Sequence, residues 1–218
     1  MSDDAVVKGL SELPTATISD ALDKLGIAGQ ALGMTPLDPS FRLAGRAFTL
    51  RYRTAGVVEK GTVGDYIDDV APGDIVVLDN AGRVDATVWG DILTAVASRR
   101  GIGGTVIHGV CRDVSRALDL KYPIFSRGRY MRTGKDRVEV ESTNQPISLG
   151  EVQVRPGDIL VGDADGIVVV PQSREQEVFE TARAIEDAEQ AIERETAKGI
   201  RLDEARKTFR YHQLQTKA

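Results

Sequence analysis

The chain has 218 residues, 41% of them hydrophobic, which suits one domain or one domain with an appended arm. Its 28 Lys and Arg against 33 Asp and Glu give a net charge of −5 with no basic block, and aromatic residues are few. We therefore expect no nucleic-acid partner. No apolar run approaches the roughly 18 residues of a membrane span. The N-terminus lacks a secretory pattern and the single Cys111 excludes an internal disulfide, so a soluble cytoplasmic protein is expected.

The first part of the chain predicts a helix, a loop and a strand. Residues 13–26 read as a helix that Thr15 or Thr17 caps and Gly26 ends. A proline-containing loop over 27–41 precedes a strand over 43–52. Residues 61–70 form a short helix or turn with three acids. Because such acids usually mark a solvated edge, we do not assign a metal to Asp65, Asp68 or Asp69.

Two Pro-Gly pairs, at 72–73 and 156–157, each precede an apolar run. The pair fits the central positions of a type II turn that starts a strand, so we interpret both as structural.

The strongest functional signal lies in residues 90–113, GDILTAVASRRGIGGTVIHGVCRD. This stretch predicts a helix from Asp91 to about Arg100, a glycine turn, a buried strand over 105–110, and an Arg112-Asp113 pair where the chain leaves the sheet. If the helix and the strand pack antiparallel, Asp91, Arg112 and Asp113 meet around one small cleft.

Two acids and an arginine at one sheet edge indicate a divalent metal together with a carboxylate ligand. Mg²⁺ commonly takes one or two protein carboxylates and keeps several waters. The Arg112 guanidinium matches a substrate carboxylate, and the free N–H groups of Asp91, Ile92 and Leu93 would hold a second anionic oxygen. The alternative from spacing alone is a capping Asp with a surface Arg-Asp pair.

After Asp113 the pattern predicts a short helix over 114–118 and an extended segment over 122–126. Val138 and Val140 alternate like an exposed strand. Residues 162–166, GDADG, lack the later ligands of a calcium loop and indicate a hairpin between two buried strands.

The C-terminal part differs in character. Residues 173–176 form a capping-box pattern, and the helix that follows is expected to run to Gly199. Its narrow apolar seam (Val178, Ala182, Ile185, Ala188 and Ile192) suits packing along a neighbouring subunit. We therefore divide the chain into a core over 1–171 and an oligomerisation arm with a charged, partly ordered tail over 172–218.

Asp91, twenty intervening residues and Arg112-Asp113 resemble the D-X20-R-D motif of the RraA-like family, which contains class II 4-hydroxy-4-methyl-2-oxoglutarate/4-carboxy-4-hydroxy-2-oxoadipate aldolases and regulators of ribonuclease E. The likeness covers roughly residues 15–200. It continues in further matching segments: TISDAL at 17–22, LAGRAF at 43–48, PGDI at 72–75 and 156–159, and GDADGIVVVP at 162–171.

This resemblance implies an α/β swivelling-type fold, with a β-barrel-like core flanked by helices and a long C-terminal helical arm. A simple doubly wound sheet is what the pattern of elements alone predicts. The family also implies a homotrimer or a hexamer made of two trimers.

The resemblance further implies a lyase that uses Mg²⁺ or Mn²⁺ and cleaves short 2-oxo acids through a pyruvate enolate, with oxaloacetate decarboxylation passing through the same enolate. Asp113 would bind the metal directly and Asp91 through a water, while Arg112 would bind the substrate carboxylate with help from the backbone of Gly90, Asp91, Ile92 and Leu93. An acidic residue of a neighbouring subunit would complete the metal site. Glu189 fits that position best and Glu186 next.

One departure concerns Arg116, where many family members carry an acidic residue, so the named substrate transfers less well than the reaction class. The alternative function is a non-catalytic trimeric regulator that binds a ribonuclease or another protein, which would need neither Asp113 nor a metal.

Overall fold

The computed structural model describes residues 4–57 and 61–211. The α-helices of these ranges are α1 (Ala5–Ser11), α2 (Thr15–Lys24), α3 (Asp91–Arg100), α4 (Val114–Asp119), α5 (Glu175–Ala197) and α6 (Leu202–Thr208). The strands are β1 (Gln30–Ala31), β2 (Thr35–Pro36), β3 (Leu43–Thr54), β4 (Ile75–Thr87), β5 (Gly104–Cys111), β6 (Ile124–Arg129), β7 (Val138–Thr143), β8 (Ile147–Leu149), β9 (Val152–Val154), β10 (Ile159–Asp163) and β11 (Gly166–Val170). Short 3-10 helices span Asp65–Asp69 and Gln172–Arg174. In these ranges we find no helix long and apolar enough to cross a membrane.

The central sheet is mixed, with strand order β1-β11-β10-β3-β4-β5-β6-β2 and β7 paired to β3. Strands β3 to β6 run parallel, whereas the flanking pairs are antiparallel. The predicted α/β class is confirmed, and the mixed pairing replaces the simple doubly wound sheet that the element pattern alone predicts.

The two end strands of this sheet, β1 and β2, are separated in the chain by residues 32–34. Because the four steps from residue 31 to residue 35 span at most about 14 Å, the sheet must curl until its ends approach each other. The curled face encloses a core (Met34, Phe41, Val77, Val106, Phe125 and Ile147 among others). A barrel-like closure of this core stays a prediction.

The two other core clusters lie against helices. One packs beneath α3 and α4 around Trp89, Ile107 and Tyr122. The other joins α1, α2 and α5 to β10 and β11 around Leu10, Leu22 and Ile185. Arg46 of β3 links the starts of α1 and α5, since its guanidinium donates to Asp4 before α1 and to Glu175 at the start of α5.

Helix α5 follows its predicted course, but its apolar seam packs differently from our expectation. Val178, Ala182 and Ile185 are buried against α1, α2 and β10 of the same chain instead of a neighbouring subunit. Its start is also different, because Arg174 occupies the N-cap without a side-chain cap bond and a 3-10 turn precedes it. The division at residues 171 and 172 stays a prediction.

Several local predictions hold and others fail. Gly73 and Gly157 adopt φ of 87° and 86°, as type II turns require. Thr15 does not cap α2 with its side chain; instead, its N–H and hydroxyl donate to the Asp163 carboxylate. The strand predicted at Val138 and Val140 is present as β7, but the prediction that it is exposed is wrong at its start, because Val138 and Glu139 are each 2% exposed. The tail includes helix α6, and its residues 212–218 lie outside the described ranges.

Candidate active site

The candidate site lies where the parallel strands β4 and β5 end. Their register runs from Ile75↔Gly104 to Thr87↔Val110, so the segments after the two strands leave the sheet side by side. Helix α3 begins at Asp91, as predicted, and Arg112 and Asp113 follow β5. The N–H of Asp91 donates to Oδ2 of Asp113 at 3.1 Å. The predicted meeting of these three residues is confirmed.

Asp113 is held in a strained backbone conformation, with φ 56° and ψ 40° in the left-handed region. This conformation costs a non-glycine residue about 1–2 kcal/mol, although Asp tolerates it better than most. The carboxylate thereby turns back toward the N-terminus of α3, where the helix dipole favours a negative charge. Backbone strain of this kind persists only where the surrounding structure imposes it. The strain at Asp113 therefore indicates that the position of its carboxylate matters.

Gly90 makes room for this carboxylate. A Cβ placed on Gly90 would lie 2.8 Å from Oδ2 of Asp113 and 3.3 Å from Nε of Arg112. The glycine is needed for this close approach and not for its φ of −150°, which any residue adopts. Gly90 therefore acts through its missing side chain.

The Arg112 guanidinium lies next to the Asp113 carboxylate, with Nε 3.2 Å from Oδ2. Both side chains are 37% exposed, so a ligand has access to each. The Arg112 backbone N–H donates to the carbonyl of Trp89 at 3.1 Å, which extends the β4–β5 pairing into the site. Because an exposed ion pair of this kind adds little stability, its placement is better explained by binding than by folding.

A buried framework positions the segment before α3. Thr87 Oγ1 donates toward the carbonyls of Trp89 and Val110, at 2.8 and 3.0 Å. The Trp89 indole N–H donates to Thr94 Oγ1, which in turn donates to the Gly90 carbonyl. The Trp89 ring stacks on Tyr122 with centroids 6.1 Å apart and planes 4° from parallel. The site thus rests on side chains that cannot move independently.

The first amides of α3 are not all free, in contrast to the prediction. The Asp91 N–H donates to the Asp113 carboxylate, and the Ile92 N–H donates to the side-chain oxygen Oδ1 of Asp91 at 2.8 Å. An anionic ligand that uses these two N–H groups must displace carboxylates from them.

A cleft of about 460 Å³ opens beside the site. It is lined by residues 87–93, Val96 and Arg112, by residues of the 63–68 segment and by residues 133–135. Asp65, Asp68 and Lys135 therefore face the same cavity as Asp91 and Arg112. Asp65 and Asp68 were expected to lie on a solvated edge and Lys135 was not predicted as a site residue, because no local sequence pattern connects three segments that only the tertiary fold brings together.

The oxygen donors at this site fit a hard divalent cation. Asp91 and Asp113 are exposed residues, and the Asp91 backbone N–H donates to the Asp113 carboxylate. Within residues 4–57 and 61–211, no three His, Cys, Asp or Glu side chains cluster closely enough to hold a metal by themselves. Mg²⁺ needs no more than one or two protein carboxylates when waters complete its shell, so the residues present suit that ion.

Comparison with known proteins assigns the family. A family model described as Aldolase/RraA matches residues 15–169.

The chain belongs to the RraA-like family.

Two curated RraA-like relatives differ in length. Over 91% of its own length the chain is 41% identical to Protein DlpA of Legionella pneumophila, yet it spans only 33% of that protein. It is 34% identical to a Halalkalibacterium halodurans protein named "Putative 4-hydroxy-4-methyl-2-oxoglutarate aldolase", over 84% of each chain.

Among solved structures, Streptomyces coelicolor RraAS2, described as an unusual member of the RNase ES inhibitor RraA protein family, is 30% identical. It matches with a TM-score of 0.80 over 87% of this chain and 97% of that one. The family thus includes both aldolase-named and regulator-named relatives of this chain.

The C-terminal acids expected to serve a neighbouring RraA-like subunit are engaged within this chain. Glu189 accepts a hydrogen bond from the Tyr211 hydroxyl at 3.3 Å. Glu186 accepts from Thr17 and Gln190. Burial, with the charges of Asp20 and Glu186, raises the pKa of the Glu189 carboxyl against the lowering effect of Tyr211. A role for Glu189 across a subunit boundary stays a prediction.

Cys111 is a packing residue. The side chain is fully buried at the end of β5, and burial raises the pKa of its thiol. Its nearest polar neighbours are the Ser126 hydroxyl and the Gly128 carbonyl, each 3.8 Å from the sulfur.

A second polar pair, Asp79 and His108, lies on the enclosed face of the same strands and escaped the sequence analysis. The two residues are register partners on β4 and β5, with Nδ1 of His108 3.3 Å from Oδ1 of Asp79. Burial would raise the pKa of Asp79, but hydrogen bonds from His108 and from the N–H groups of Ala81 and Ser148 outweigh it and hold that pKa below 3.8.

Proposed function

We propose that this protein is a divalent-metal-dependent carbon–carbon lyase that acts on short 2-oxo acids. The observation that carries the proposal is the contact between Arg112, Asp113 and the N-terminus of α3 at the mouth of the cleft. This arrangement offers a cation-binding carboxylate and a carboxylate-binding guanidinium next to each other. The aldolase name of the Halalkalibacterium halodurans relative supports the same reaction class.

Arg112 would bind the carboxylate at the pyruvyl end of the substrate through its planar pair of N–H donors. The N–H groups of Asp91 and Ile92 would assist once their present carboxylate partners turn toward the cation. Lys135 also lines the cleft and would face a second carboxylate. The cleft therefore favours a 2-oxo dicarboxylic acid.

Asp113 would hold Mg²⁺ or Mn²⁺ directly and Asp91 would hold it through water, and the cation would supply Lewis-acid stabilisation of the negative charge that develops on the 2-oxo group. Cleavage of a 4-hydroxy-2-oxo acid removes the proton of the C4 hydroxyl and breaks the C3–C4 bond. The bonding electrons remain on the pyruvyl fragment as its enolate, which takes a proton at C3. Asp91, exposed beside the cleft, would relay that proton.

Oxaloacetate reaches the same enolate when its C3–C4 bond breaks and carbon dioxide leaves. The residues that bind the pyruvyl carboxylate and stabilise the enolate serve both substrates. One site would thus carry the aldolase reaction and the decarboxylation.

The assay measures pyruvate from 4-hydroxy-4-methyl-2-oxoglutarate and from oxaloacetate, with Mg²⁺, with Mn²⁺ and with EDTA. A blank without protein is essential, since divalent ions decarboxylate oxaloacetate unaided. Pyruvate release above the blank that stops with EDTA supports the lyase. A folded, metal-loaded protein that releases no pyruvate from either substrate contradicts it.

The assembly that we propose is a homotrimer or a pair of trimers, with Glu189 of one subunit reaching the metal site of the next. Mass measurement in solution tests the assembly. Glu189→Gln tests the ligand, with Glu193→Gln, exposed on the same helix, as its control. An unchanged metal affinity in Glu189→Gln would reject this assignment.

A regulator that binds a ribonuclease is the second candidate, and the Streptomyces coelicolor RraAS2 structure favours it. Such a regulator acts through surface contact. Inhibition of a ribonuclease that persists in Asp113→Ala and in EDTA would support this alternative.

A further inference from the structure

Glu139 is a buried residue whose carboxylate accepts several hydrogen bonds, and it is not among the site residues described above. Its side chain on β7 is 2% exposed. Arg53, its register partner on β3, donates from Nε to Oε1 at 2.8 Å. The N–H groups of Gly61 and Gly56 donate to Oε2 at 2.8 and 3.4 Å. The Gly61 N–H and the Arg53 guanidinium keep the pKa of Glu139 below its ordinary range despite desolvation.

Two of these bonds, from the N–H groups of Gly56 and Gly61, converge on one oxygen atom. Gly56 follows β3, and Gly61 starts the segment that leads into the cleft. A single side chain thus holds the residue after β3 and the start of the segment that lines the cleft. A carboxylate suits the task because its two oxygens accept several N–H donors at once.

The anchored segment continues directly into one wall of the cleft. The Thr62 carbonyl accepts from the Val140 N–H at 3.0 Å, and the Val63 carbonyl accepts from the buried Tyr52 hydroxyl at 2.7 Å. Gly64 then touches α3, since a Cβ there would lie 2.9 Å from Cδ2 of Leu93. Residues of the 63–68 segment line the same cleft as Arg112.

We propose that Glu139 is a positioning residue that holds the 63–68 wall and thereby sets the affinity for the part of the substrate remote from Arg112. The expected effect on substrate affinity rests on the proposed function, whereas the anchoring of the 63–68 wall by Glu139 does not depend on it. Glu139 touches neither the reacting atoms nor the metal site and acts through residues 61–64.

Glu139→Gln is the direct test, because it keeps the shape and replaces one acceptor oxygen by an NH₂ donor that opposes the N–H groups. Glu141→Gln is the matched control, two residues along the same strand and exposed. The steady-state assay uses 4-hydroxy-4-methyl-2-oxoglutarate. Deuterium exchange into the methyl group of pyruvate, which needs only the pyruvyl end of the site, is measured in parallel.

The expected result is a KM about tenfold higher in Glu139→Gln, with kcat and the rate of pyruvate exchange within twofold of wild type, and no change in Glu141→Gln. A variant with unchanged KM, or with kcat and pyruvate exchange lowered as much as kcat/KM, overturns the inference. Tyr52→Phe, which releases the Val63 carbonyl, should raise KM in the same direction and covers the case in which Glu139→Gln does not fold.

Amide hydrogen exchange tests the anchoring independently of catalysis. Protection of residues 61–68 should fall in Glu139→Gln and stay unchanged in Glu141→Gln, whereas equal protection in both variants overturns the anchoring. If the wild type neither releases pyruvate nor catalyses deuterium exchange into the methyl group of pyruvate, the proposed function fails. Hydrogen exchange of the amides of residues 61–68 alone then decides the role of Glu139.

Discussion

The backbone N–H of Asp91 donates a hydrogen bond of 3.1 Å to Oδ2 of Asp113, across 22 positions of sequence. The bond joins the first residue of α3 to the residue that follows β5 and leaves the sheet in the left-handed conformation. It places a carboxylate at the positive end of a helix and beside a guanidinium. From this contact we predict how substitutions at neighbouring residues change activity and binding.

Gly90→Ala should damage the site more than the fold. The added Cβ lies 2.8 Å from Oδ2 of Asp113, so the carboxylate must move away from the Asp91 N–H. A displacement of about 1 Å in a catalytic group can cost roughly 10²-fold in rate, while crowding of this kind lowers the free energy of unfolding by about 1–3 kcal/mol. We expect kcat/KM to fall 10- to 100-fold in a protein that remains folded by circular dichroism. Wild-type kcat/KM in this variant would show that the close approach does not matter.

Arg112→Lys should weaken binding of the pyruvyl carboxylate, because an ammonium group cannot present two parallel N–H donors. We expect the dissociation constant of pyruvate to rise about tenfold, equivalent to roughly 1.4 kcal/mol. Arg99→Lys, exposed in the last turn of α3, is the control and should bind pyruvate like the wild type. Equal pyruvate affinity in all three proteins would remove Arg112 from the carboxylate site.

The Asp79–His108 pair should make stability depend on acid pH. The folded-state pKa of Asp79 lies below 3.8 because its hydrogen bonds outweigh the effect of burial. A depressed pKa contributes stability that is present above the unfolded value of about 3.9 and is lost as the pH falls through the folded value. Asp79→Asn should therefore be less stable than the wild type at pH 7, and the difference should shrink below about pH 4.

Urea unfolding at pH 7, 5 and 3 measures this difference, with Asp119→Asn as an exposed control on α4. A destabilisation by Asp79→Asn that is equally large at pH 3 would show that the charge of Asp79 is not its cause.

The sequence predicts that Asp91 and Asp113 lie close together, because their proximity follows from a helix and a strand that are consecutive in the chain. Periodicity places α3 and β5, and the end of a strand that follows an antiparallel helix returns to the start of that helix. The residues concerned are Asp91, Arg112 and Asp113, and their strand and helix bounds match the predicted ones to within one residue. The position of the Asp113 carboxylate then follows from its backbone conformation, which no sequence pattern announces.

The sequence does not predict that Lys135 lines the cleft or that Glu139 is buried. Lys135 reaches the cleft because residues 132–134 pass alongside Thr87, whose N–H donates to the Arg132 carbonyl. Glu139 is buried because β7 pairs antiparallel with β3 across a register shift between Arg51 and Tyr52. Its alternating neighbours suggested an exposed strand, since alternation shows that one face is covered but not which partner covers it.

The same limit explains α5. Its seam of Val178, Ala182 and Ile185 shows that one face of the helix is covered. What covers it in this chain is the cluster of Leu10, Ile18 and Leu22 from α1 and α2, more than 150 residues earlier in the sequence. Amphipathicity alone cannot separate that packing from packing on another subunit.

The most direct test of the metal-dependent lyase compares Asp113→Ala with Asp119→Ala for pyruvate release from 4-hydroxy-4-methyl-2-oxoglutarate in Mg²⁺. Asp113→Asn is measured as well, because Asn tolerates the left-handed backbone that strains Ala. We predict at least a roughly 100-fold loss in both Asp113 variants, to the level of wild type in EDTA, and full activity in Asp119→Ala. Metal-dependent release at the wild-type rate by folded Asp113→Asn and Asp113→Ala would contradict the assignment.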